Sequence, residues 1–228
     1  FDLGNSMILT QKVSTTIKEK IPATIELTVF GMLVTLVVGI SLGAYAADKR
    51  RSSRDYMIRL YGIVIYCIPV YWLGLMFQMI FGVWLDWLPV AGRTGARVFV
   101  STFETTGFYI IDTIIKRDFS AFKDVLIHLI LPSATLGLTL SGIFIRLTRA
   151  NMLDVLKSDY ILAAEARGIS HGRVVYKHAL LNAFVPILTM MGLQVALLMA
   201  GAVLTESTFS WPGMGRLLLE RIYLRDYP

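Results

Sequence analysis

Four stretches of this sequence contain no Asp, Glu, Lys or Arg: Leu27–Ala47 (21 residues), Leu60–Leu85 (26), Val125–Ile145 (21) and Ala179–Thr205 (27). A helix needs about 20 apolar residues to cross the hydrocarbon core of a bilayer. Helices of soluble domains average about 10–14 residues. The runs therefore predict an all-α membrane protein with transmembrane spans at about 27–47, 60–85, 125–145 and 179–205. Composition agrees, with 55% hydrophobic and 17% charged residues, against about 25% charged in soluble domains. Collagen and a disulfide scaffold are excluded, because the 18 glycines follow no strict period and Cys67 is the only cysteine. The first run is not a signal peptide: Asp48-Lys49-Arg50-Arg51 follows it where a small-residue cleavage site would stand. The chain opens on Phe1 rather than Met, so further residues are expected before it.

The charges between the runs set an orientation. Residues 48–59 hold five basic against two acidic groups, and residues 146–177 hold six against three, a net +3 in each. Segments 1–26, 86–124 and 206–228 balance at three against three, five against five and three against three. The whole net charge of +6 thus sits in two alternate loops. By the positive-inside rule those loops face the cytoplasm, and both ends of the chain and segment 86–124 face outward. A basic patch can also read nucleic acid or anionic lipid, but alternation with the spans favours topology, and no nucleic-acid partner is expected.

Local signals add detail. Residues 16–21 read as a short interfacial helix, with Pro22 as its boundary. Trp84 and Trp87 suit the interface at the end of the second span. The apolar pieces of 108–115 suit a short helix lying on the outer surface. Pro132 and Pro186 fall inside spans, where membrane bundles tolerate a kink. Gly39 and Gly43 form a GxxxG step that permits close helix contact. In the basic loop 146–178, Ser158 or Asp159 caps a short helix over Tyr160–Arg167, Gly168 stops it in a left-handed turn, and Ser170 starts a second helix. A short helix held between two spans either transmits a push from a cytoplasmic partner or simply links them.

No catalytic or cofactor chemistry emerges. His128, His171 and His178 lack metal-ligand spacing, Cys67 reads as packing, and there is no Gly-rich phosphate loop. The chain is expected to bind no metal, cofactor or ATP itself. Polar residues in or at the edges of spans are the candidate pathway or gate groups: Glu26, Gln78, Gln194 and Glu206, with Ser133, Thr135, Thr139 and Ser141 beside them. Glu26 and Glu206 stand at outer ends, where solvation or pairing with an outer Arg is the alternative. Pro212 and Gly213 suit a tight turn, which makes Phe209–Leu218, with Trp211, a corner near an outer gate.

Specific runs carry a family resemblance. Ala163-Ala164, three residues apart from Gly168, keeps the spacing of a Glu-Ala-Ala-x-x-x-Gly signature, with Leu162 in place of its leading Glu. Arg146–Leu156, Lys177–Ala183, Pro22–Leu27, Arg225–Pro228 and above all Phe209-Ser210-Trp211-Pro212-Gly213-Met214-Gly215-Arg216 extend the match over the whole chain. The chain resembles the permease subunits of binding-protein-dependent ABC importers, in the dipeptide, oligopeptide and nickel branch. Glu165 stands where that branch usually carries a basic residue.

The resemblance implies a type I importer bundle, of which this chain is a fragment holding four of an expected six spans. It implies a second homologous permease, two ATPase subunits carrying ATP and Mg, and an external substrate-binding protein, all at a prokaryotic plasma or inner membrane. It places the ATPase-coupling contact on Asp159, Tyr160, Ala163, Ala164, Glu165, Ala166, Arg167 and Gly168. The rival readings are a passive channel or scaffold and, against the missing Ser/His or paired-Asp constellation, an intramembrane enzyme.

Overall fold

The computed structural model describes residues 4, 6, 12–95 and 105–226. Residues 96–104 of the expected outer segment, with Arg97 and Glu104, and the motif residues Tyr227 and Pro228 lie outside the described residues. All the regular elements are helical: α1 (Val13–Asp48), α2 (Ser53–Cys67), α3 (Val70–Phe77) continued by a π-helical segment Gln78–Trp84, α4 (Tyr109–Ile115), α5 (Phe119–Val155), α6 (Asp159–Ala166), α7 (His171–Arg173) continued by a π-helical segment Val174–Ala179, α8 (Leu180–Met199), α9 (Val203–Thr208) and α10 (Met214–Leu224).

Three helical stretches are long and apolar enough to cross a membrane: α1, α5 and His171–Met199. α1 and α5 outrun their charge-free cores at both ends, and His171–Met199 begins ahead of its own. At 1.5 Å per residue, the 36-residue α1 is about 54 Å long, against about 30 Å of hydrocarbon. A charge marks where a helix leaves lipid, not where its hydrogen bonding stops. The basic loop is shortened for the same reason, since α5 continues through Arg146 and Arg149 to Val155.

Prolines supply two corrections. The boundary expected at Pro22 does not exist, because α1 runs straight through it. Ala23, Thr24 and Leu27 just beyond are fully buried, and that packing holds the helix together despite the missing N–H. The span expected at 60–85 is not one helix: α2 and α3 meet at a bend of 98°. Ile68, the residue before Pro69, is extended at φ −74° and ψ 126°, the conformation that a following proline imposes. Pro132 and Pro186 lie within α5 and α8 as expected. The fourth span also stops early. α8 ends at Met199, and Gly201, at φ +115°, turns the chain into α9.

The chain divides into two compact units. The first takes the described residues up to Gly31, Val70–Thr135 and from Ala196 onward. It holds the start of α1, α3, α4, the start of α5, α9 and α10. The second takes Met32–Pro69 and Leu136–Val195, which include both of the segments with net charge +3. In the second unit, Gly39 and Gly43 bring α1 against α5. A Cβ on Gly39 would meet the Phe144 side chain, and one on Gly43 the Thr148 side chain and the Ile145 carbonyl. This is the close approach that small residues give to membrane helices.

Candidate functional site

Two sites emerge, one in each unit. In the first unit the carboxylates of Glu26 and Glu206 organise a buried polar cluster. Neither is solvated: Glu26 is 5% and Glu206 0% exposed. Glu26 pairs with Arg93, itself 5% exposed, whose Nε and Nη2 donate to Oε2 at 3.1 and 2.6 Å. Nη2 also donates to the Gly107 carbonyl at 3.0 Å, and the guanidinium stacks 3.6 Å from the Tyr109 ring centroid. The second Glu26 oxygen accepts from the Ile110 N–H at 2.9 Å. A buried charge is tolerated when it is paired and its remaining hydrogen-bonding capacity is met, and both conditions hold here.

Glu206 does a different job. Its Oε1 accepts from the Thr24 hydroxyl at 2.8 Å, and its Oε2 accepts from the Arg216 N–H at 2.9 Å. The Thr24 oxygen in turn accepts from the Met214 N–H at 2.8 Å. Met214 and Arg216 are the first and third residues of α10, so Thr24 and Glu206 together satisfy N–H groups that a helix start leaves open. A carboxylate there also meets the positive end of the helix dipole. Gly213 is required beside them: a Cβ on it would fall on the Glu206 carboxylate. Trp211 is fully buried and donates its indole N–H to the Ala23 carbonyl at 2.8 Å. The Pro-Ala-Thr-Ile-Glu run and the Ser-Trp-Pro-Gly-Met-Gly run, some 190 residues apart, are thus two halves of one corner.

Gln78 joins the same unit, donating to the carbonyls of Val90 at 2.6 Å and Thr208 at 2.9 Å. Four of the five main pathway candidates, Glu26, Gln78, Glu206 and Trp211, therefore gather in the first unit around α9 and its corner. Gln194 is buried in the second unit. Ser133, Thr135 and Ser141 bond back to carbonyls of their own helix.

The second site is α6. It starts after Ser158, whose hydroxyl bonds the Val155 carbonyl rather than capping the helix. It ends at Gly168, which adopts the left-handed conformation expected of it at φ +78°. Ile161 and Ala164 are buried in an apolar cluster with Ala44, Ala47, Met152 and Val174. Asp159, Tyr160, Leu162, Ala163, Glu165, Ala166, Arg167 and Gly168 are exposed. Ala164 thus differs from the expectation: its side chain packs into the chain's own core and is not presented on the surface with Ala163 and Ala166. Nearby, Asp55 is buried and accepts a two-pronged contact from Arg149 at 2.6 and 2.8 Å. Outside the spans, the hydrogen bond from Lys49 to Asp48 raises the lysine above its ordinary value.

Arg93, Thr24 and Asp55 are organising residues that no local signal in the sequence marks. In the sequence Arg93 and Asp55 are indistinguishable from the other loop charges. Thr24 lay inside a recognised motif, but nothing in the sequence paired it with residue 206.

Comparison with known proteins follows the same lines. Residues 39–228 match the family of binding-protein-dependent transport system inner membrane components. The chain is 44% identical over 227 residues to the dipeptide transport system permease protein DppB of Alkalihalophilus pseudofirmus, covering 100% of this chain and 68% of the relative. It is 42% identical to the di/tripeptide permease DppB of Pseudomonas aeruginosa and 42% to the dipeptide permease DppB of Escherichia coli, covering 100% of this chain and 67% of each. The chain thus spans about two thirds of the length of these relatives. A passive channel or scaffold is not favoured by these matches. With its apolar helices, its all-α fold and full-length coverage by transport permeases, the chain belongs to the inner membrane components of binding-protein-dependent transport systems and is a permease subunit, not an enzyme.

Proposed function

We propose that this permease subunit forms part of the path of an ATP-driven peptide importer, in the plasma or inner membrane of a prokaryotic cell. A second homologous permease completes the path. Two ATPase subunits, carrying ATP and Mg, dock on the cytoplasmic loops, and an external binding protein delivers the peptide. Peptide cargo is supported by relatives named for dipeptides and di/tripeptides at 42–44% identity. The orientation is supported by the two +3 segments.

The observation that carries the coupling role is the two-faced α6. Ile161 and Ala164 fasten it to a cluster that also contains residues of α1, α5, the π-helical segment after α7, and α8. Its other face, with Tyr160, Leu162, Ala163, Glu165 and Ala166, is exposed. A partner pushing on that face moves residues of three long helical stretches at once, α1, α5 and His171–Met199. Arg167 and Gly168 close the helix and turn the chain toward α7. In this reading the membrane is crossed by α1, by α5, by the helix His171–Met199 and by the bent pair α2–α3, with the coupling segment within 146–178. Glu26, Gln78, Glu206 and Trp211 frame its outer mouth, and Gln194 is the candidate path residue in the second unit.

The test is uptake of labelled di- and tripeptides into proteoliposomes holding the assembled transporter and its binding protein, with an Ala163→Trp variant. Overpacking an interface costs about 1–3 kcal/mol, so uptake should fall about tenfold or more, with ATPase subunits lost or uncoupled and the permease still inserted. Full coupled uptake by the variant would place the docking surface elsewhere. Transport of another solute in preference to peptides would overturn the cargo.

A further inference from the structure

Asp55 is an acid in a segment of net charge +3, yet it is 1% exposed. Its carboxylate accepts from Nε and Nη2 of Arg149 at 2.6 and 2.8 Å and from the Arg51 N–H at 3.1 Å. The Arg59 guanidinium stands 3.3 Å from it. Arg51 presents its N–H from a left-handed conformation, at φ +62°, which a residue with a Cβ rarely adopts. Asp55 lies in the first turn of α2 and Arg149 near the end of α5, so one forked ion pair fastens the two helices together.

The same two helices meet again two turns away. Gly62 lies seven residues after Asp55, and Gly142 seven before Arg149. A Cβ on Gly142 would fall on the Gly62 carbonyl. α2 and α5 therefore run antiparallel in register, touching through bare backbone at one point and through the ion pair at the other. The glycines let the helices approach, but bare contact resists separation weakly. The ion pair resists it strongly, because parting would leave a buried carboxylate without its cation.

The remaining links explain why this fastening matters. Among the described residues, none of α2 belongs to the apolar cluster that seats α6. α5 supplies Met152 to that cluster, one helical turn beyond Arg149. The turn between α1 and α2 and the exposed Arg54–Tyr45 bond hold one end of α2. They fix where that helix begins and leave its direction to α5.

We propose that the Asp55–Arg149 pair makes α2 follow α5 when α6 is displaced, so that both are positioning residues of the transport cycle. The proposal rests on the coupling role of α6. The displacement passes from α6 through Met152 to Arg149, and from Arg149 through Asp55 to α2.

The experiment compares peptide uptake per ATP hydrolysed in proteoliposomes holding the assembled transporter and its binding protein. Arg149→Gln and Asp55→Asn should each lower that ratio about fivefold or more, with the ATPase subunits still bound and hydrolysing. Arg149→Lys keeps the charge without the fork and should recover part of the loss. The double variant Asp55→Asn/Arg149→Gln should be no worse than either single one, because the two residues act through one contact. Spin labels on cysteines at the exposed positions Met57 of α2 and Asp154 of α5, in a Cys67→Ala background, give a second readout. Their separation should be the same with and without ATP in the wild type and should change with ATP in Arg149→Gln.

An unchanged ratio in both single variants, or losses that add in the double variant, would overturn the proposal. So would an ATP-dependent separation in the wild type. Failure of the double variant to assemble would show that the pair serves folding, and would overturn it too. Ala163→Trp separates the two readings. Uncoupling there with normal coupling in Arg149→Gln overturns this proposal alone, whereas full coupling in Ala163→Trp removes the role of α6 and this proposal with it.

Discussion

The α9–α10 corner and α6 are both short helical pieces tied to long apolar helices, yet they are held by opposite means. The corner is fixed by directional bonds among buried polar groups: Glu206 to Thr24 and Arg216, Trp211 to Ala23, Met214 to Thr24. Beside it, the Arg93–Glu26 pair joins α1 to the segments on either side of α4's start. α6 is anchored by apolar contact, through Ile161 and Ala164. Directional bonds in a buried setting specify one geometry and penalise every other, because a displaced group is left unpaired. Apolar contact with small side chains specifies less and slides at lower cost. The difference matches what the proposed coupling role of α6 would need, a fixed frame in one unit and a movable helix in the other.

Breaking the frame should give the largest effect. Arg93→Ala would leave the Glu26 carboxylate buried without its cation, and losing one partner of a buried pair costs about 3–5 kcal/mol. The expected result is a permease that aggregates at markedly lower temperature in detergent. Thermal denaturation followed by size exclusion measures it, and a stability loss under about 1 kcal/mol would mean that water reaches the pair and that the frame is soft.

The next test separates the two faces of α6. Ala164→Trp forces a large ring into the cluster with Ile161, Met152 and Val174, and overpacking a filled core costs about 1–3 kcal/mol. Ala163→Trp, on the exposed face, should leave stability within about 0.5 kcal/mol of the wild type. The same melting experiment on both variants sharpens the contrast. Equal destabilisation would show that α6 is enclosed on both faces. The pair also changes what a transport defect means: loss of uptake in Ala164→Trp reports folding, whereas loss in Ala163→Trp reports docking.

A smaller loss than at the α6 core is expected at Gly168. Its φ of +78° lies in the left-handed region, and a Cβ there meets nothing within 4 Å. The cost of Gly168→Val is therefore conformational alone, about 1–2 kcal/mol. Gly168→Asn, which tolerates that region better, should recover much of it. An Asn variant as unstable as the Val variant would argue that contact, not backbone conformation, sets the requirement.

Several features were open to reading from the sequence because they are local. Lipid excludes charge, so four uncharged runs announce membrane helices whatever their neighbours do. Gly168 announced a left-handed stop because only glycine adopts that conformation without penalty, and the structure places it so. The GxxxG step announced close packing, and α5 is what it packs against.

Other features belonged to the tertiary structure alone. Pro22, Pro69, Pro132 and Pro186 lie in or near the apolar runs, and the chain treats them differently. α1, α5 and α8 pass through Pro22, Pro132 and Pro186, while the helix breaks before Pro69. Every proline removes the same N–H, so the outcome turns on whether surrounding packing outweighs that loss, which no local window contains. The two buried carboxylates make the same point. Glu26 finds its cation 67 residues away, and Glu206 finds Thr24 at a separation of 182. That such groups need partners if buried in a membrane protein follows from the residue type alone, since an unpaired charge there is too costly to persist. Only the fold decided that they would be buried, and which residues would meet them, because burial is a property of the packed helices and not of the residue.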